Sequence, residues 1–144
     1  MKAQVYHVQI NVCDAARSFP FYKAFLGYLE YRTVHETDTV AGFSAGGTDI
    51  WVIAAAPPHA GHGFHRKRPG LNHVAFRVER REDVDRFREE FLAPRRLPAL
   101  YETPREFPEY RDGYWAVFFE DPDGLKLEIV WTPPGTYDFQ RNPA

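Results

Sequence analysis

Two stretches sixty-six residues apart say nearly the same thing, and that repetition limits what this chain can fold into. His7-Val8-Gln9-Ile10-Asn11-Val12 is answered by His73-Val74-Ala75-Phe76-Arg77-Val78. Both alternate apolar and polar side chains with the two-residue period of a half-buried strand. The offset then persists: Phe21, Phe25 and Leu26 recur as Phe87, Phe91 and Leu92, in segments whose apolar residues keep helical spacing. A spacing shared over roughly twenty residues and headed each time by the same histidine reads as an internal duplication.

Each copy follows one order of strand, helix and three strands. In the first, residues 5–12 form a strand with Val8, Ile10 and Val12 on its apolar face and His7, Gln9 and Asn11 on the other. Asp14 caps a helix whose buried stripe holds Phe21, Tyr22, Phe25 and Leu26. Pro20 shortens or kinks this helix and Gly27 ends it. Strands are expected over 28–35, 39–45 and 48–55. The second copy has a strand over 71–78 and an amphipathic helix over 82–92, then a short strand near 99–102 and a loop over 104–113. A hairpin over 114–131 closes it, turning at Asp121-Pro122-Asp123-Gly124. The reading is an α+β chain of two paired βαβββ modules, 1–56 and 71–132, joined by a linker over 57–70 and followed by a tail over 133–144. Neither module buries its sheet alone.

Composition narrows the function. A net charge of −2 supplies no basic footprint for nucleic acid or a membrane surface. Cys13 is the single cysteine, so an internal disulfide and a thiolate zinc cluster are both excluded. No signal-peptide apolar block and no run long enough to span a bilayer occur, so a cytoplasmic protein is expected. The 12 Phe and 8 Tyr suit a pocket lined by rings and a small-molecule substrate. His59, His62 and His65 recur at intervals of three in the linker, where a loop at a cleft mouth is a better reading than a metal site, because flexible histidines lack fixed geometry.

Aligning the last hairpin of each copy on Gly47 and Gly124 sets Asp49 beside Lys126 and Trp51 beside Glu128. By strand parity, His7, His73 and Glu128 then lie on the faces turned away from the helices. Two imidazoles and one carboxylate suit one divalent ion such as zinc, iron, manganese, nickel or cobalt, with open positions where a substrate oxygen can be polarised. Gln9, Asn11 and Arg77 line the same cleft, Arg77 in a position to meet a substrate carboxylate, and Trp51 offers a stacking surface. Tyr101, Tyr110 and Tyr114 are the candidates for acid–base work or for holding the ligands.

Four motifs together resemble the vicinal oxygen chelate superfamily of glyoxalases, bleomycin-resistance proteins and extradiol dioxygenases. They are His7-Val8-x-Ile10-x-Val12-x-Asp14, Ser18-x-x-Phe21-Tyr22-x-x-x-Leu26-Gly27, His73-Val74-Ala75-Phe76-x-Val78 and Phe119-Glu120-Asp121-Pro122-Asp123-Gly124-x-x-Leu127-Glu128. The resemblance implies paired βαβββ modules cupping one metal ion, with His7, His73 and Glu128 on three ligand positions, and a homodimer. It also implies lyase, isomerase or dioxygenase chemistry on a substrate that chelates the ion through adjacent oxygens. The family's usual fourth ligand, commonly a carboxylate, falls here on Trp51, whose donor-only N–H cannot ligate. That departure argues against glyoxalase chemistry in its usual form. The rival from another class is a metal-free protein that sequesters a small molecule, as resistance members do.

Overall fold

The structure, a computed structural model, describes residues 1–135 and contains two four-stranded mixed sheets with a few helices. The chain divides into two compact units, Met1–His65 with Asp121–Leu125, and Arg66–Glu120 with Lys126 onward. Residues 136–144 of the expected tail lie outside the described residues.

In the first unit β1 (His7–Val12) leads into α1 (Ala15–Tyr28), followed by β2 (Arg32–Glu36), β3 (Val40–Ser44) and β4 (Asp49–Ala54). The sheet order is β1-β4-β3-β2, with β1 parallel to β4 and the other pairs antiparallel. Ile10, Val12, Ala41, Phe43, Ile50 and Val52 are buried, as are Tyr22, Phe25 and Leu26 on the helix. The Asp14 carboxylate caps α1 by accepting from the Arg17 N–H. Pro20 does not interrupt the helix, which runs on past Gly27 to Tyr28. The expected stop at Gly27 is therefore corrected: the residue in the left-handed region is Glu30 (φ 65°). Two bonds close the end, from the Tyr31 N–H to the Leu26 carbonyl and from the Glu30 N–H to the Gly27 carbonyl. This is the pairing of a Schellman cap, whose geometry is set by its hydrogen bonds even without glycine at the left-handed position.

The expected linker is not wholly irregular. Pro57–Ala60 makes one helical turn, α2, with proline at its start.

In the second unit β5 (His73–Arg77) is followed by α3 (Arg81–Arg86), which continues as a π-helical segment, Phe87–Leu92. β6 (Leu100–Glu106), β7 (Trp115–Glu120) and β8 (Lys126–Trp131) complete a sheet of order β5-β8-β7-β6, with β5 parallel to β8. Phe87 and Phe91 stack at 4.9 Å, and Phe87 also meets Phe119 at 5.2 Å on the helix side. The other side holds a separate buried cluster of Phe107, Ala116, Phe118 and Val130, with Leu100 and Tyr114 packed against it. β6 departs most from expectation. It extends through residues read as loop, and its pairing with β7 jumps between Leu100 and Arg105, where Tyr101 and Glu102 both take positive φ (58° and 56°). The excursion turns the Tyr101 ring onto Phe118 at 5.7 Å.

The turn 121–125 belongs to the first unit and is heavily hydrogen-bonded. The buried Asp121 carboxylate accepts from the Tyr22 hydroxyl (2.7 Å) and from the Asp123 (2.9 Å) and Leu125 (2.8 Å) backbone N–H groups. Asp123 accepts from the Cys13 N–H at 2.7 Å and pairs with Arg17.

Candidate metal centre

The two parallel pairs are in equivalent register. His7 faces Asp49 and Gln9 faces Trp51 across β1 and β4; His73 faces Lys126 and Ala75 faces Glu128 across β5 and β8. Trp51 and Glu128 are therefore counterparts in the two sheets, as the glycine alignment expects.

In the second unit the site is built around Glu128, which is 1% exposed. Its Oε1 accepts from the Tyr114 hydroxyl at 2.5 Å. Its Oε2 is buried and has no hydrogen-bond partner, although His73 Nε2 is 3.1 Å away. The in-plane axis of Nε2 is not aligned with Oε2, so no bond forms, and Asn72 sets the tautomer. Its amide N–H donates to the Arg66 carbonyl (3.0 Å), which turns Oδ1 toward His73 Nδ1 at 2.8 Å. An acceptor there requires Nδ1 to carry the proton, so Nε2 carries the lone pair. Electrostatics agree. Burial, and then the Lys126 charge, hold the His73 pKa below its usual value, so the imidazole is neutral at pH 7. Burial raises the Glu128 pKa, against the lowering effects of the Tyr114 hydrogen bond and Lys126. The pair is thus no ion pair, since each group is driven toward its neutral form.

Two acceptors 3.1 Å apart need something positive between them, either a proton or a cation. A spacing of 3.1 Å accommodates either. Octahedral ligand bonds of about 2.1 Å hold neighbouring donor atoms about 3.0 Å apart, and tetrahedral ones about 3.4 Å. Asn72 Oδ1 thus holds the imidazole at Nδ1.

Among the described residues no group of three His, Cys, Asp or Glu side chains lies together so as to hold a metal; His73 and Glu128 are a pair. His7 belongs to the first unit and is exposed, edge-on to Tyr6 at 5.7 Å. Gln9 and Asn11 are exposed on the same face. The half-buried Trp51 ring lies across Gly42, with His35 at 5.8 Å. A Cβ at Gly42 would come within 2.8 Å of that ring, so glycine is what lets the indole lie flat on β3. Gly42→Ala is expected to lift the indole and cost about 1–3 kcal/mol, read as a fall in Tm with a shift in tryptophan emission. Arg77 is exposed on β5, on the His73 face.

Of the three tyrosine candidates, Tyr114 is the one whose hydroxyl reaches Glu128. Tyr101 is about half exposed against Phe118, and Tyr110 stacks on Phe107 at 5.4 Å. Sequence reasoning missed the roles of Asn72 and Lys126. Asn72 directly precedes the histidine. Lys126 shares the parity of Glu128 and pairs with His73 in register, a signal already available from the hairpin alignment.

With this geometry in hand, the chain belongs to the Glyoxalase/Bleomycin resistance protein/Dioxygenase superfamily, whose profile matches residues 4–129. The uncharacterized Bacillus subtilis (strain 168) protein YqjT is 32% identical over 126 residues, covering 88% of this chain and 97% of that protein. A candidate glyoxalase from Bacillus halodurans superposes with a TM-score of 0.82 at 34% identity, over 91% of this chain and 97% of the other. A domain of the same superfamily from Frankia sp. EAN1pec gives 0.71 at 28% identity, over 92% and 100%. The resemblance to the vicinal oxygen chelate group is thereby confirmed at the level of family and fold.

Proposed function

We propose that this protein is a metal-dependent enzyme acting on a small oxygenated substrate that chelates a divalent ion through adjacent oxygens. What carries the reading is the buried Glu128 Oε2, which has no hydrogen-bond partner and lies 3.1 Å from His73 Nε2. In this reading His73 and Glu128 hold the ion. The ion would supply Lewis acidity toward a bound substrate oxygen. The side chains do the rest. Tyr114 fixes Glu128 Oε1 and leaves Oε2 as the free donor atom, and Asn72 fixes the imidazole tautomer. The reading places the enzyme in the cytoplasm.

Calorimetric titration with zinc in buffers of different ionisation enthalpy tests it. Because burial raises the Glu128 pKa, uptake of the ion should be coupled to proton release over the pH range in which that carboxyl is still protonated in the free protein. Affinity should rise with pH until that carboxyl is ionised in the free protein, then level off. No uptake at any pH would refute the reading. Tyr114→Phe should keep the fold and weaken zinc binding about 10–100-fold, because Oε1 is no longer fixed.

One observation favours the metal-free binding protein: an indole stands at the counterpart of the carboxylate position. Elemental content of protein purified without chelator or nickel column separates the two readings.

A further inference from the structure

Lys126 is the one strong charge beside the His73–Glu128 pair that the proposed chemistry leaves unused. It faces His73 across the parallel strand pair and stands two residues before Glu128, on the same face of the sheet. Its side chain is half-buried, with Nζ 5.0 Å from the Phe118 ring centroid and 5.8 Å from that of Tyr101. Among the described residues the ammonium has no ion pair and no hydrogen bond. The neighbouring cation, Arg66, is occupied, paired with Glu120. An ammonium held on aromatic faces, with no ion pair of its own, is a ready partner for an anion. One free charge, without a guanidinium fork, suits a carboxylate rather than a phosphate dianion. Arg77 is on the same face but four residues along β5 from His73, about 13 Å away at strand rise. Lys126 is directly across.

We infer that Lys126 forms a carboxylate-binding subsite beside the metal pair, so that the substrate is a carboxylic acid carrying adjacent chelating oxygens elsewhere in the molecule. This rests on the function proposed above, and the test separates the two. Catechol offers two adjacent oxygens and no carboxylate; 2,3- and 3,4-dihydroxybenzoate add one at two distances. Their affinities are measured by calorimetry for the full chain with redox-inert zinc and again without it.

The wild type should prefer at least one dihydroxybenzoate over catechol by about tenfold or more. Lys126→Met, which keeps the stem on Phe118, should erase that preference and leave zinc stoichiometry and catechol affinity unchanged. Lys126→Arg should retain it. No preference for either acid, no binding by any of the three compounds, or a preference that survives Lys126→Met overturns the subsite. If zinc fails to bind, the metal reading falls, and the comparison without zinc still decides Lys126.

Discussion

Replacing Glu128 with glutamine is expected to cost zinc affinity more than about 100-fold while making the metal-free protein more stable, by about 1 kcal/mol. The two effects share one cause. The amide oxygen of the introduced glutamine would still accept from Tyr114, and a neutral amide would replace a buried carboxyl whose Oε2 has no hydrogen-bond partner. A buried group that is costly without its ligand and essential with it is the usual trade between stability and function. Glu128→Ala gives the contrast. It empties a packed position and strands the Tyr114 hydroxyl, so stability falls together with metal binding. Thermal melts and zinc titrations of both variants check this. A destabilised Glu128→Gln protein with zinc binding intact would place the cation elsewhere.

The largest effect on folding should come from Asp121. Its carboxylate serves three donors in a nearly dry turn, so Asp121→Ala leaves a buried hydroxyl and two backbone N–H groups without partners. A loss of about 3–5 kcal/mol is expected, near 10 °C in Tm for a chain of this size. Asp121→Asn should be much milder, since its amide oxygen can still serve the two N–H groups. The pH dependence has a definite sign. Burial raises the Asp121 pKa above its ordinary value, outweighing the hydrogen bonds that lower it. A raised pKa contributes stability that is full below the unfolded-state value, near 3.8, and is lost as pH rises through the folded-state value. The stability of the wild type relative to Asp121→Asn should therefore fall over that window and stay flat above it. The opposite slope would mean that the hydrogen bonds outweigh burial.

Much of this was legible in the chain because duplication supplies an internal ruler. A period of two fixes strand faces, and one turn glycine in each copy fixes register. His7 with His73 and Trp51 with Glu128 therefore fall on equivalent positions, as the strand pairing has them. What escaped was set by tertiary contact. Nothing local distinguishes Tyr114 from Tyr101 and Tyr110; the difference is a hydroxyl that meets a carboxylate fourteen residues away. The bulge at Tyr101–Glu102 breaks strand periodicity where two non-glycine residues adopt left-handed backbone, so β6 read as a short strand followed by a loop. Gly27 looked like a stop, yet the cap is closed three residues later by bonds to Leu26 and Gly27 carbonyls. The orphaned Glu128 oxygen, and the Asn72 contact that sets the tautomer of His73, are matters of orientation that no spacing encodes.

The most direct measurement is the imidazole nitrogen spectrum of His73 as zinc is added to the metal-free protein. The proposed centre predicts that Nδ1 stays protonated throughout, while the Nε2 resonance moves from a lone-pair to a metal-bound position and saturates at about one ion per chain. A Nε2 resonance unmoved by zinc, or one already protonated at neutral pH, would contradict it.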